Sequence, residues 1–301
     1  MSIKGIERDA RLTVFLSASG SCPVPLMTGV KPNNNGTAAS ISGRRDEQNM
    51  RALLIGLCSG LFGGLVGLGG GVIMIPLMVG VMKMGQHKAH GTSLVALVFT
   101  GISGAVIYFQ KGSIDVVASL LIAATAMFTA RAGAHYANAL PEWKLKRAFG
   151  GFLILVSILL LLKPYLPHPA QAVGGWLKTC VLLVTGLFTG FLSGMMGVGG
   201  GTIMVPAMVL LAGMGQHTAQ GISLLAMVPA GTVGAYTHWR LGNVESSMLM
   251  GLIPGILAGA YTGGLLAHVL PEATLRVVFA AVLIWTGIRY IRTPAPQSSA
   301  Y

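Results

Sequence analysis

Twice in this chain an apolar run of about 30 residues is interrupted by three consecutive glycines, with a proline five residues further on. The first run contains Gly67-Leu68-Gly69-Gly70-Gly71-Val72-Ile73-Met74-Ile75-Pro76, the second Gly197-Val198-Gly199-Gly200-Gly201-Thr202-Ile203-Met204-Val205-Pro206. Apolar runs of this length are what a bilayer requires of a helix. Three glycines and a proline, however, destabilise a continuous helix by several kcal/mol. At membrane depth the freed N–H and C=O groups must be buried in protein or line a wet cavity. A half-helix starting after the glycines aims its free N–H groups and positive dipole end at the break, where an anion can bind. Gly69, Gly70, Gly71, Gly199, Gly200 and Gly201 are therefore candidate substrate contacts. The competing reading for glycine is close helix packing. It suits Gly56, Gly60 and Gly64, spaced one per turn, better than three glycines in a row.

Lipid as solvent fits the rest of the chain. Charged residues make up 9% and hydrophobic ones 53%, where a soluble domain carries roughly a quarter charged residues. Apolar segments follow one another over Leu53–Met82, Gly91–Tyr108, Val116–Ala139, Phe149–Leu162, Val181–Leu211, Gly221–Thr237, Met248–Leu270 and Leu275–Tyr290. The net charge of +12 comes from Lys and Arg that flank these segments and form no aromatic-laced patch, so nucleic acid is not an expected partner. Three cysteines, Cys22, Cys58 and Cys180, without a C-x-x-C spacing give no basis for a disulfide framework, a metal site or a redox cofactor. Residues 1–49 are rich in Ser, Gly, Asn and Pro and read as a disordered tail, or as a mis-annotated start if Met50 is the true one.

Displacing the chain by 130 positions lays its halves on each other without a gap. Gly56, Gly60 and Gly64 fall on Gly186, Gly190 and Gly194. Gly67, Gly69, Gly70 and Gly71 fall on Gly197, Gly199, Gly200 and Gly201, and Pro76 on Pro206. Met84-Gly85-Gln86-His87 meets Met214-Gly215-Gln216-His217, and Pro141-Glu142 meets Pro271-Glu272. The expected architecture is an all-α polytopic membrane protein of two repeats, 50–165 and 166–292, each with about four hydrophobic segments, followed by a short tail at 293–301.

The doubled Gly-x-Gly-Gly-Gly-x-x-x-x-Pro motif resembles the sulfite exporter TauE/SafE family of membrane permeases. Each copy is followed by Ala-x-Gly-x-Ser-Leu, as Ala89-His90-Gly91-Thr92-Ser93-Leu94 and Ala219-Gln220-Gly221-Ile222-Ser223-Leu224. Leu140-Pro141-Glu142 through Arg147-Ala148-Phe149 resembles the family's connection before the last segment of a half. The resemblance covers residues 50–292. It implies a multi-pass protein of the cell inner membrane that exports sulfite, sulfoacetate or a related sulfur-containing anion, without a cofactor.

Other polar residues in or beside the spans are further candidates. Gln86, His87, Gln216 and His217 close the long segments and read as helix caps or as substrate or proton contacts, hardly as metal ligands. Ser93 and Ser223 start the next segments, where a hydroxyl caps a helix or donates to an anion. Arg131 lies inside the third segment, a costly place for a cation unless it attracts the anion or snorkels to the interface. No Asp or Glu lies deep in a span, so passive permeation and coupling through histidine both stay open. A homodimer through the glycine-rich helix faces is a further expectation. A membrane redox carrier would need a cysteine pair, and an intramembrane protease would have to join Ser193 to a base such as His217. An assembly scaffold would carry no flux at all.

Flanking charge bears on topology. If each glycine-broken segment enters and returns on one side, Lys83, Lys88, Lys144, Lys146, Arg147, Arg240, Arg289 and Arg292 fall inside, and Lys111, Lys163, Lys178 and Arg276 outside. Four full crossings per half instead divide the same cations evenly. The hairpin arrangement agrees better with the positive-inside rule, and it makes the repeats inverted, with the two breaks meeting near the midplane.

Overall fold

The computed structural model describes residues 34–136, 142–162 and 175–292, and these are helical with short turns between the helices. The chain divides into two compact units, Met1–Gly43 and Arg44–Tyr301. The helices are α1 (Asn34–Val66), α2 (Gly71–Val81), α3 (Gln86–Gln110), α4 (Val116–Tyr136), α5 (Glu142–Leu162), α6 (Trp176–Met196), α7 (Gly201–Leu210), α8 (Gln216–Arg240), α9 (Ser246–Val269) and α10 (Glu272–Ile291). Six stretches are long and apolar enough to cross a bilayer: Asp46–Val66, Gln86–Gln110, Val116–Tyr136, Trp176–Met196, Ser246–Val269 and Glu272–Ile291. Their outward faces carry Val117, Leu120, Phe128, Met250 and Val269, all largely exposed. Such a surface suits hydrocarbon rather than water.

Two expectations change here. Helix α1 begins at Asn34, inside the stretch read as a disordered tail. Ala38, Ala39, Arg44, Arg45, Glu47 and Gln48 are good helix formers, and they extend a helix already nucleated by the apolar run. Residues 1–33 and the tail at 293–301 lie outside the described residues. Gln86 and Gln216 do not close the broken segments; they open α3 and α8, with Gly85 and Gly215 at the N-caps.

Small residues set how the helices pair. Gly56, Gly60 and Gly64 of α1 lie against Leu252, Ile256 and Ala260 of α9, so these helices run parallel. The equivalent glycines, Gly186, Gly190 and Gly194 of α6, lie against Ile122, Ala126 and Ala130 of α4 in the same sense. Each half thus packs its first helix on the fourth helix of the other half. At the centre α3 and α8 run antiparallel: Gly101 lies against Val228 and Gly104 against Leu224, while Gly231 lies against Val98 and Gly234 against Leu94. Helices α5 and α10 also pair, with Gly150 and Gly287 in backbone contact. Contacts of one half therefore recur in the other at the 130-residue offset. The glycine-rich faces of α1 and α6 pack inside the chain, as the one-per-turn spacing of Gly56, Gly60 and Gly64 suggests.

After each long first helix the chain turns back. A Cβ on Gly63 would stand 2.7 Å from Gly70 N, so the break returns beside α1. Lys88 at the start of α3 then bonds Glu245, the N-cap of α9, at 2.8 Å. His217, in the equivalent turn at the start of α8, instead reaches Ala267 O at 3.0 Å, near the far end of α9. The two equivalent turns thus stand at opposite ends of α9, a helix of 24 residues and about 36 Å.

These contacts leave no room for side chains. A Cβ on Gly60 would stand 2.6 Å from Ile256 O, whereas nothing lies within 4 Å of one on Gly80. Gly60→Leu is expected to lose about 3 kcal/mol or more of stability, and Gly80→Ala to hold or gain up to about 1 kcal/mol. Thermal unfolding of the detergent-purified variants measures both.

Candidate anion site at the paired glycine breaks

The two breaks touch. A Cβ on Gly71 would meet Val198 O at 2.7 Å and Gly197 O at 2.8 Å; one on Gly201 would meet Leu68 Cα at 2.7 Å and crowd Gly67 O; one on Gly199 would meet Leu68 O at 2.6 Å. Backbone thus packs on backbone, which only glycine permits. Gly67, Gly69, Gly70, Gly197 and Gly199 also hold positive φ, from 63° to 93°, where a side chain is strained. The first amides to bond within the new helices are Ile73 and Met74, to Gly70 O, and Ile203 and Met204, to Gly200 O. Helix geometry leaves those of Gly71, Val72, Gly201 and Thr202 without an intrahelical acceptor. Neither Gly70 nor Gly200 supplies a side-chain cap. The positive ends of α2 and α7 thus lie close together at the paired breaks.

Freed carbonyls are satisfied across the two halves. Ser93 Oγ donates to Gly197 O at 2.8 Å, with His90 O at the same distance. Ser223 Oγ donates to Gly67 O at 3.0 Å. These serines lie in the second turn of their helices and are fully buried. They are not N-caps, and their protons are committed to the backbone of the opposite break. Behind them, His238 Nε2 donates to Gly194 O at 3.1 Å. Its equivalent, Tyr108, places its hydroxyl 3.2 Å from Gly64 O and 3.0 Å from Gln220 Oε1.

The remaining sequence candidates divide. Gly69, Gly70, Gly71, Gly199, Gly200, Gly201, Ser93 and Ser223 come together at the breaks. Gln216 is buried, while Gln86 and His87 are exposed. Gln216 and His217 open α8 next to Glu272, away from the breaks; His217 Nδ1 lies 3.4 Å from Glu272 Oε1. Arg131 stands on the exposed face of α4 and is not among the residues around the breaks. Ser193 and His217 do not pair, because both ring nitrogens of His217 are engaged with Ala267 and Glu272. Cys58 and Cys180 are free and exposed on different helices. Among the described residues no three His, Cys, Asp or Glu side chains gather as a metal site. At the turn below α3, the Lys88 ammonium and the Ser247 hydroxyl hold the Glu245 carboxyl below its ordinary range.

Four pairs around the breaks escape a reading of the halves for identical residues, because the equivalents differ: Ser59 and Thr189, His90 and Gln220, Thr92 and Ile222, Tyr108 and His238. A Cβ on Gly197 would meet His90 Cα at 3.0 Å, and one on Gly67 would meet Gln220 Cβ at 2.7 Å. The two breaks thus have matching backbones and unequal side-chain surroundings.

A polytopic helical bundle whose two interrupted helices meet end to end is the frame of a membrane transporter. Over residues 52–290 the chain matches the family described as Sulfite exporter TauE/SafE, and it belongs to that family. It is a multi-pass membrane transporter of the cell membrane. The chain is similar to the probable membrane transporter protein YunE of Bacillus subtilis, 27% identical over 79% of this chain and 96% of that one. A probable membrane transporter protein of Xylella fastidiosa strain 9a5c is 29% identical over 79% of this chain and 91% of its own. A shorter match, 30% identical over 32% of this chain and 22% of the relative, is the Sulfite exporter TauE/SafE family protein 5 of Arabidopsis thaliana. No solved structure matches the chain.

Removing either serine hydroxyl leaves a buried carbonyl bare. Ser93→Ala and Ser223→Ala are each expected to cost about 1–3 kcal/mol, read as a lower unfolding temperature in detergent. Unchanged stability in either would show that the hydroxyl does not hold the opposite break.

Proposed function

We propose that this transporter exports a small anion, sulfite or another sulfur-containing anion such as an organosulfonate, and that the anion passes between the two glycine breaks without chemical change. The observation that carries the reading is the meeting of two helix N-termini, α2 and α7, inside the bundle. Like poles of two helices facing each other in a low-dielectric interior repel, and an anion between them relieves the repulsion. The family and the Arabidopsis relative both carry the name sulfite exporter. An enzyme is the weaker reading, since the Ser193 and His217 pair that a protease would need is not formed.

We also read the two halves as inverted with respect to the membrane, with the breaks near its midplane. Two features support this. Helices α3 and α8 are equivalent and antiparallel. A Cβ on Gly70 would lie 3.5 Å from Ser59 Cβ, and Ser59 stands roughly 20 Å along the span that begins at Asp46. Cysteines replacing Lys88 and Thr218, in a background lacking Cys22, Cys58 and Cys180, should be labelled from opposite sides of the membrane. Labelling of both from one side overturns the inverted reading.

The anion itself is tested by thermal stabilisation of the purified protein. Sulfite, thiosulfate and sulfoacetate at millimolar concentration should raise the unfolding temperature, and chloride should not. No response to any sulfur-containing anion, together with no flux in liposomes, would contradict the proposal.

A further inference from the structure

Among the described residues, several buried side-chain polar atoms have no hydrogen-bond partner, and they include a pair of hydroxyls at equivalent places in the two halves, Ser59 Oγ and Thr189 Oγ1. Both side chains are sealed, at 0% and 1% exposure. A hydroxyl on a helix in lipid normally bonds back to a carbonyl one turn earlier. Thr100, Ser157, Thr237 and Thr286 of this protein all do so. Ser59 and Thr189 do not, and each leans on the glycine that precedes a half-helix. A Cβ on Gly200 would stand 2.5 Å from Thr189 Cγ2, and one on Gly70 would stand 3.5 Å from Ser59 Cβ. Thr189 also lines a cavity of about 10 Å³, together with Ser193, Gly199, Gly200, Met204 and Met227. That is room for about one water.

We propose that Thr189 and its counterpart Ser59 are side-chain ligands of the transported oxoanion, one at each break, and this rests on the reading of the breaks as an anion path. Each hydroxyl, together with the unbonded amides at the start of α7 or α2, makes a neutral donor cluster on one wall of a break. An oxoanion presents several acceptor oxygens and can take a hydroxyl and a helix N-terminus at once. Burying a hydroxyl without a partner is unfavourable, so both halves of a duplicated chain have no structural reason to keep one at this position. A ligand gives the reason. The cavity is smaller than an oxoanion, so binding requires α6 and the α7 break to move apart, as a carrier that alternates between two states does. Leu94, Leu97, Met204 and Met227 make the walls largely apolar, so the Thr189 hydroxyl, with that of Ser193, is what an entering anion finds there.

The experiment compares Thr189→Val, Thr189→Ser and Ser59→Ala in detergent, each with and without sulfite. Valine has the shape of threonine and lacks its hydroxyl. Without sulfite, Thr189→Val and Ser59→Ala should unfold at the wild-type temperature or higher, because an unpartnered hydroxyl is lost. With sulfite, their stabilisation should require at least tenfold more anion, while Thr189→Ser should behave as wild type. Lower stability without sulfite, or an unaltered sulfite response in Thr189→Val, would overturn the proposal and assign the hydroxyls a structural role. A wild type that responds to no oxoanion would instead overturn the anion reading of the breaks, so the two failures are told apart.

Discussion

Peptide groups freed by a broken helix must find partners where there is no water, and this requirement organises the whole bundle. Each break releases carbonyls at Gly64 and Gly67 or at Gly194 and Gly197. A hydroxyl or ring nitrogen carried by α3 or α8 receives each of them. Ser93 and Ser223 serve the break of the opposite half. Each half therefore satisfies one freed carbonyl of its interrupted helix itself, through Tyr108 or His238, and leaves the other to the opposite half. The antiparallel pairing of α3 and α8, and the docking of α1 on α9 and α6 on α4, follow from that exchange.

The freed carbonyls are well provided for, and the freed amides are not. Serine, tyrosine and histidine all donate, so the chain has spent its donors on backbone oxygens. Around the N-termini of α2 and α7 the groups without a partner include the hydroxyls of Ser59 and Thr189. Donors gathered at helix N-termini suit an anion. They do so without a buried basic side chain, because Arg131 faces outward and, among the described residues, no Lys or Arg is buried. On the proposed reading, backbone dipoles at the two helix N-termini supply the positive potential.

Much of this was legible in the sequence, and the unread part has a physical cause. The glycine triplets with their prolines located the breaks because a helix cannot run through them. The 130-residue offset exposed the duplication, and the spacing of Gly56, Gly60 and Gly64 marked a packing face. Which surface covers that face is not in the spacing, since periodicity reports that a surface is small and flat but not its partner. Arg131 attracted attention as an intramembrane cation. Its helix presents one face to α6 and one outward, and the pattern of small residues at Ala126, Ala130 and Ala134 puts the packed face on the other side. The serines were read as caps or anion donors, but a cross-chain bond to a distant carbonyl has no local signature. Ser59 and Thr189 stayed hidden because a lone hydroxyl in a helix is ordinary until its missing partner is seen.

The account stands or falls on whether the anion meets the backbone where the two breaks touch. Hydrogen–deuterium exchange of the purified transporter, with and without saturating sulfite, reads those amides directly. The account predicts slower exchange in peptides covering both 67–74 and 197–204, with little change along α5 and α10. Protection confined to other helices, or an unchanged exchange at both breaks under sulfite concentrations that stabilise the protein, would contradict it.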